Sequence, residues 1–406
     1  MKRVIICFMA LVLLFTSVPF APFASVVSVE SSAADASVTV SATESKMTVK
    51  ISGVGTSGKA QVVKMGADEY YNGDTSKGVS ATVSSGVSIG TYTCGGTSEI
   101  TFSRYTKDLE DSLYSKYYVV QSGAVLYGPV YATEISAPTQ SVYQKSSTKK
   151  GLSVGGDAAY VSVLKELGCS NTTIDFDLSQ LIFPNEDRSG NSVDQSNNAN
   201  AICYVSNGKA YYFNKTYIES FDEKIAVFSN AGVNVNLSVT ASKVSDFGKY
   251  PYSLVYTTAN AGNKMAFNTS NAKGRGYFIA AMEFLADRYS RAKESGLVKN
   301  FIIGNDIDMT YANYAVQSNL TNKGKTTLDV FAEEYSRTLR LANLAVKKYC
   351  KDMTVSVPFS NNWATSAYDN SDRNSGNDYI INTYAPKDIM ISFPHCLQSA
   401  AIMTGL

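Results

Sequence analysis

A carboxamide and a carboxylate stand side by side at the end of an apolar segment, where they could act on a bound ligand. Asn305 and Asp306 follow the apolar run 301–303 and Gly304 directly, and Asp308 comes two residues later. The run is typical of a buried parallel strand, and Gly304 lets the backbone turn after it. In a parallel barrel the carboxyl ends of the strands open onto the active site. Asn and Asp also satisfy backbone groups at ordinary turns, so this segment alone leaves both interpretations open.

Further polar residues fall at the ends of other predicted strands or in the loops after them. Asp175 and Asp177 alternate with apolar neighbours, and Asn236 lies in the predicted strand 233–239. Polar residues that point inward near the end of a strand either line a binding site or form a buried hydrogen-bond network. Trp363 offers a ring that can stack on a ligand or anchor its loop. The other candidate contacts, all in predicted loops, are Tyr311, Asn361 and Asn362.

Helical and strand patterns alternate from residue 151 onward. The predicted helices carry apolar stripes at Tyr160, Val163, Leu164 and Leu167; at Ile218, Phe221, Ile225 and Phe228; at Phe278, Ala281, Leu285 and Tyr289; and at Leu328, Phe331, Tyr335, Leu339, Ala342 and Val346. Predicted strands at 151–154, 172–178, 233–239, 301–303 and 354–359 flank these helices. The alternation predicts a parallel α/β domain. Long strand-to-helix joins beside short helix-to-strand joins favour a barrel, with an open doubly wound sheet as the alternative.

The first part of the chain has a different pattern. Lys2 and Arg3 precede the apolar run 4–18, and small residues follow, so residues 1–36 are predicted to be a signal peptide. Short alternating runs broken by Gly, Ser, Thr and Asn predict a small all-β sandwich at 37–137. The polar stretch 138–150 is typical of a linker, and 151–406 would form the α/β domain.

Composition narrows the range of partners. The 36 basic and 35 acidic residues give a net charge of +1, which argues against nucleic acid. No later segment is long and apolar enough to span a membrane. One histidine and scattered cysteines predict neither a metal site nor another cofactor. The 27 tyrosines suit a carbohydrate, which is polar at its edges and apolar on its faces. The sequence gives no prediction of an oligomeric state.

Three segments resemble the (β/α)8-barrel clan of glycoside hydrolases. LKELGCSNTTIDF is similar to the first helix and second strand of the clan, and FSNAGVNVNLSV to the next helix and strand. FIIGNDIDM resembles the fourth strand, which carries Asn-Glu in the clan. The chain also resembles a group of secreted bacterial glycosidase-like proteins in which a small β-domain precedes the barrel. The resemblance implies that Asn305 binds a sugar hydroxyl and that Asp306 is the general acid/base.

Two departures from the clan shape the prediction. Asp306 stands where the clan has Glu, and the shorter side chain could misplace the proton. About five βα units are found, and the strand that carries the clan's nucleophile is not among them. We therefore expect an incomplete barrel, truncated at its C-terminus and inactive in this form. The predicted function is a secreted glycoside-hydrolase-like protein acting on polysaccharides or oligosaccharides; the alternative is a non-catalytic carbohydrate-binding or cell-surface protein.

Overall fold

The computed structural model describes residues 36–74, 82–138, 143, 148, 150–187, 189–242, 264–291, 294–307, 321–322, 325–326 and 328–359. The predicted signal peptide lies outside these residues except for its last residue, as does most of the predicted linker. No helix of the described part is long and apolar enough to cross a membrane.

The described residues up to position 135 form β-strands and one short 3-10 helix, Ser112–Tyr114. The strands are β1 (Ser37–Ala42), β2 (Lys46–Ser52), β3 (Lys59–Met65), β4 (Glu69–Tyr71), β5 (Thr82–Ser84), β6 (Val87–Thr93), β7 (Thr97–Ser103), β8 (Lys116–Gln121), β9 (Ala124–Val130) and β10 (Ala132–Ile135). They form two four-stranded sheets, β10-β1-β2-β7 and β6-β3-β8-β9, and the pair β4-β5. Alternate residues of β2 and β3 are buried, and apolar side chains of both four-stranded sheets share one core.

Helices and strands alternate in the second part of the chain. The elements are β11 (Gly151–Ser153), α1 (Tyr160–Glu166), β12 (Asn171–Asp177), α2 (Leu178–Leu181), β13 (Ile182–Phe183), β14 (Ala201–Ser206), β15 (Lys209–Asn214), α3 (Lys215–Asn230), β16 (Asn234–Ser242), β17 (Lys264–Met265), α4 (Ala272–Tyr289), β18 (Val298–Ile303), β19 (Thr321–Asn322), β20 (Lys325–Thr326), α5 (Leu328–Tyr349) and β21 (Thr354–Ser356). The strands β11-β12-β16-β18-β21 pair in parallel and in chain order. This arrangement confirms the predicted α/β class.

Local sequence explains where the long helices begin and which face they bury. The Asn214 side chain accepts a hydrogen bond from the backbone N–H of Tyr217 and caps α3, and Asn271 caps α4 by accepting from Gly274. The predicted stripe of α3 is fully buried, as its spacing requires. In α1, by contrast, only Leu164 is buried, whereas the prediction gave the whole stripe one inward face. That prediction is wrong because α1 follows β11, which pairs only with β12 among the described strands.

Helix α5 is buried over most of its length because the N-terminal strands lie against it. The guanidinium of Arg340 lies 3.6 Å from the centre of the Tyr131 ring. The Tyr70 hydroxyl donates a hydrogen bond to the Glu333 carboxylate. At the other end of the helix, the Lys348 ammonium contacts Asp111. The polar face of α5 is therefore covered by protein, and these contacts join the N-terminal strands to the α/β part.

Candidate functional site

One face of the parallel sheet is apolar and the other is largely polar. The apolar residues pack towards the helices and include Phe176, Leu237, Val239, Phe301 and Ile303, all buried. Their neighbours along the strands point to the opposite face, because side chains alternate in a strand. The pattern Asn-Val-Asn-Leu-Ser-Val-Thr in β16 shows this alternation directly. The sheet thus packs its apolar face against the helices and carries mainly polar side chains on the opposite face.

Strand register arranges this polar face in two rows. The first row contains Ser153, Thr173, Asn236, Asn300 and Thr354, one residue from each strand. The second contains Asp175, Ser238, Ile302 and Ser356. The Asn300 amide links the rows: it donates to the Ser356 hydroxyl at 2.8 Å and accepts from the Thr354 hydroxyl at 2.8 Å. Hydroxyl and amide groups therefore line the sheet from one side to the other.

The end of β18 places Asp306 on a constrained piece of backbone. Gly304 has φ +95° and Asp306 has φ +39°, a left-handed value that Asn and Asp tolerate better than other residues with a Cβ. The N–H of Gly304 donates to the carbonyl of Val239 at 2.8 Å, and the N–H of Ile307 donates to that of Pro358 at 3.1 Å. Asp306 is held between these two anchors. Non-glycine residues in such conformations concentrate at functional sites.

The amide predicted to accompany the carboxylate lies against it. The Nδ2 of Asn305 donates a hydrogen bond to the Oδ2 of Asp306 at 3.1 Å. Both side chains are half-buried at the carboxyl end of the strand. The contact orients the Asp306 carboxylate and holds the amide and the carboxylate together at the end of β18.

The other predicted contacts that the structure describes are Asp175, Asp177 and Asn236. Asp175 is exposed in the second row, and Asn236 is half-buried in the first. Asp177 caps α2, accepting from the N–H of Ser179 at 2.9 Å and from its hydroxyl at 2.5 Å. The capping contact gives Asp177 a structural hydrogen-bonding role, which is the kind of alternative that the sequence left open for it.

Several predicted residues fall outside the described residues and stay predictions: Asp308, Tyr311, Asn361, Asn362 and Trp363. Within the described part of the chain, no group of three or more His, Cys, Asp and Glu residues could hold a metal ion. Sequence reasoning missed Ser238, Asn300 and Ser356 as parts of the polar face. The alternating polar positions of β16 are the signal that could have found Ser238, whereas Asn300 and Ser356 required the register of three strands.

A large cavity lies elsewhere, on the helix side of the sheet. It has a volume of about 930 Å³ between α3, α4 and β14. Glu219, Asp222, Glu223 and Asp287 contribute to its wall, and Arg288 pairs with Asp222 inside it. The predicted site residues do not line it. We place the candidate site at the carboxyl end of β18, because the constrained carboxylate and its amide partner are found there. The second polar row is the nearer of the two rows to this end.

Comparison with known families gives one match. Residues 142–389 match the model described as Family of unknown function (DUF5722). No curated protein matches the chain.

Several solved structures, glycosidases among them, share a distant likeness with this chain. Fpglu1 from Fervidobacterium pennivoraus is 14% identical over 58% of this chain and 47% of its own, with a TM-score of 0.33. The β-glycosidase of Thermosphaera aggregans is 14% identical over 51% of this chain and 43% of its own, with a TM-score of 0.31. An endo-1,4-β-mannanase from Eisenia fetida is 12% identical over 60% of this chain and 58% of its own, with a TM-score of 0.30. The matched region spans about half the length of these proteins, and likeness at this level carries no argument about function.

Proposed function

The chain belongs to the DUF5722 family, whose model matches residues 142–389, and we propose that it is a secreted glycoside-hydrolase-like protein. It would act on polysaccharides or oligosaccharides by carboxylate acid/base catalysis, and hydrolysis by this chain would overturn the expectation that an incomplete barrel is inactive. Asp306 would be the acid/base, and Asn305 would bind a sugar hydroxyl beside the scissile bond. The supporting observation is the position of Asp306, at the carboxyl end of β18, with left-handed backbone and the Asn305 amide on its carboxylate.

The polar face of the sheet supports a carbohydrate as the ligand. Its two rows present hydroxyl, amide and carboxylate groups, which match the alternating donors and acceptors of sugar hydroxyls. Strand ends of parallel α/β domains are also where ligands bind. A general acid at Asp306 would protonate the glycosidic oxygen as the bond to the leaving group breaks. The second row, which lies nearer the carboxyl ends of the strands, would then bind the sugar, and Asp306 would supply the proton.

The second candidate function is carbohydrate binding without catalysis. The first row favours it, because Ser153, Thr173, Asn236, Asn300 and Thr354 provide hydroxyl and amide groups and no carboxylate. Trp363, Tyr311, Asn361 and Asn362 would add contacts in either case. Removing the Asp306 charge should abolish hydrolysis in the catalytic case and leave a binder largely unchanged.

Asp306→Asn is expected to lower hydrolysis by about 100-fold or more, the usual contribution of a general acid/base. The fold should be unaffected, because Asn also tolerates the left-handed backbone. The measurement is release of chromophore from a panel of aryl glycosides and of reducing ends from polysaccharides, using the full chain.

Asp194→Asn serves as the control, because Asp194 also accepts hydrogen bonds at a turn but is exposed and outside the sheet. Equal hydrolysis by the Asp306→Asn and Asp194→Asn proteins would rule out acid/base catalysis at Asp306. Retention on a polysaccharide column without hydrolysis by the parent chain would favour the binding function. A parent chain that neither binds nor hydrolyses any glycan would contradict both.

Export is part of the proposal and rests on Lys2, Arg3 and the apolar run 4–18. The exported protein is expected to begin at Ser37, after removal of residues 1–36. N-terminal sequencing of protein recovered from the medium of a bacterial host tests this. Protein that stays in the cytosol with Met1 intact would contradict it.

A further inference from the structure

A buried tyrosine holds the strand that leads to Asp306. The hydroxyl of Tyr335, on α5, donates a hydrogen bond to the carbonyl oxygen of Ile303 at 2.6 Å. Both residues are fully buried. Ile303 is the last residue of β18 and precedes Asp306 by three positions. The contact therefore acts on the backbone immediately before the candidate acid/base.

Strand pairing explains why Ile303 needs this donor. The N–H of Gly304 bonds to Val239 of β16, so the carbonyl of Ile303 faces the other neighbour, β21, because successive residues of a strand point their backbone groups in opposite directions. Pairing of β18 with β21 ends at Ile302 and Ser356. Two residues beyond Ser356 comes Pro358, which has no N–H to donate. The Tyr335 hydroxyl takes the place of the missing backbone donor.

The phenol of Tyr335 is itself held firmly. The Phe331 ring stacks on it with centroids 5.8 Å apart and planes 11° apart. Nearby, the hydroxyls of Thr338 on α5 and Thr269 lie 2.9 Å apart. Glu333, two residues before Tyr335, accepts a hydrogen bond from Tyr70 of β4. The position of α5, and with it the end of β18, thus depends on contacts made by the N-terminal strands.

We propose that Tyr335 is the positioning residue for Asp306: its hydroxyl replaces the N–H that Pro358 lacks and fixes the end of β18 where the carboxylate must stand. The catalytic consequence rests on the proposed function of Asp306. Displacing a reacting group by about 1 Å can cost about 100-fold in rate. Loss of the Tyr335 hydroxyl should therefore reduce kcat by up to about 100-fold and change KM little, since the polar rows that bind the ligand remain.

The test compares Tyr335→Phe with Tyr289→Phe in the full chain. Tyr289 is as deeply buried, and its hydroxyl bonds to Asp222 on the far side of α4, so this variant removes an equivalent group away from the site. Amide hydrogen exchange is measured at Gly304 and Ile307 below the melting temperature of each protein. We expect exchange at these two amides to accelerate by roughly 10-fold or more in Tyr335→Phe, the factor that loss of one buried hydrogen bond gives. Tyr289→Phe should leave them unchanged.

A rescue variant separates positioning from general loss of stability. Pro358→Ala supplies a backbone N–H, so Tyr335→Phe combined with Pro358→Ala should regain protection at Gly304 and Ile307. Unchanged exchange in Tyr335→Phe, or equal acceleration in Tyr289→Phe, would overturn the proposal. This readout does not require turnover, so a chain without hydrolytic activity would contradict the proposed function and leave the positioning result standing.

Discussion

Asp111→Asn is expected to lower the free energy of unfolding by about 3–5 kcal/mol, the cost of removing one partner of a buried ion pair. Its carboxylate, which is fully buried, accepts two hydrogen bonds of 2.8 Å from Arg104 and lies 3.1 Å from the Lys348 ammonium. The substitution leaves the buried Arg104 guanidinium and the half-buried Lys348 ammonium without that negative charge. Lys348 belongs to α5 and Asp111 to the N-terminal part, so the loss also weakens the connection between the two.

The measurement is urea denaturation followed by circular dichroism, with Glu99→Gln as the control. Glu99 pairs with Lys50 at 3.6 Å, but both side chains are more than half exposed, so that variant should change stability by less than about 1 kcal/mol. Similar losses of unfolding free energy in the two variants would show that burial of the Asp111 ion pairs does not determine how much they stabilise the fold.

The same substitution should change the response to acid. Burial opposes ionisation of Asp111, but the Arg104 hydrogen bond, the charges of Lys348 and Arg104, and the Leu113 N–H outweigh it and lower its pKa. A lowered folded-state pKa gives stability that is present above the unfolded pKa and is lost as pH falls through the folded value. The parent chain should therefore lose stability below about pH 4, and Asp111→Asn should show a shallower loss. An identical slope in both proteins would contradict this assignment.

The helical spacing predicted much of the α/β part, because a stripe that repeats every three to four residues must face a core. The stripe of α3 is an example, since Ile218, Phe221, Ile225 and Phe228 are all buried. The spacing could not show which helix faces have a partner. In α1 the side chains of Tyr160, Val163 and Leu167 are exposed, since their burial depends on what packs beside β11.

Part of the candidate site, the pair Asn305 and Asp306, was also predictable from a local pattern. A polar pair directly after an apolar strand marks its carboxyl end, and this located Asn305 and Asp306. The role of Tyr335 was not predictable, because its spacing gives only a core position on α5. Its hydroxyl has a function only once α5 lies against β18 and Pro358 occupies the position beyond β21 from which a backbone N–H would otherwise donate to Ile303. Side-chain periodicity is local, whereas the demand for a hydrogen-bond donor arises from the pairing of distant strands.

Phe176→Ala is expected to lower the free energy of unfolding by about 3–5 kcal/mol. The ring is fully buried on the helix side of β12 and meets Phe221 of α3 edge-on, with centroids 4.6 Å apart. It also contacts the Tyr217 ring at 5.2 Å. Truncation would remove these contacts and leave a cavity between strand and helix. Thermal and urea unfolding measure the loss, and Val205→Ala, at a side chain that is 66% exposed, should remain within about 0.5 kcal/mol.

The effect should reach the polar face, because Phe176 stands between Asp175 and Asp177 on the same strand. Because side chains alternate, one short segment both packs the sheet against α3 and presents the exposed Asp175 carboxylate on the other side. Loss of the contact between Phe176 and α3 should therefore both accelerate amide exchange along β12 and weaken glycan retention, although no polar group is removed. A variant with the full loss of stability and unchanged retention would show that the polar rows of β12 do not contribute to binding, and the ligand would then have to lie over β18 and β21.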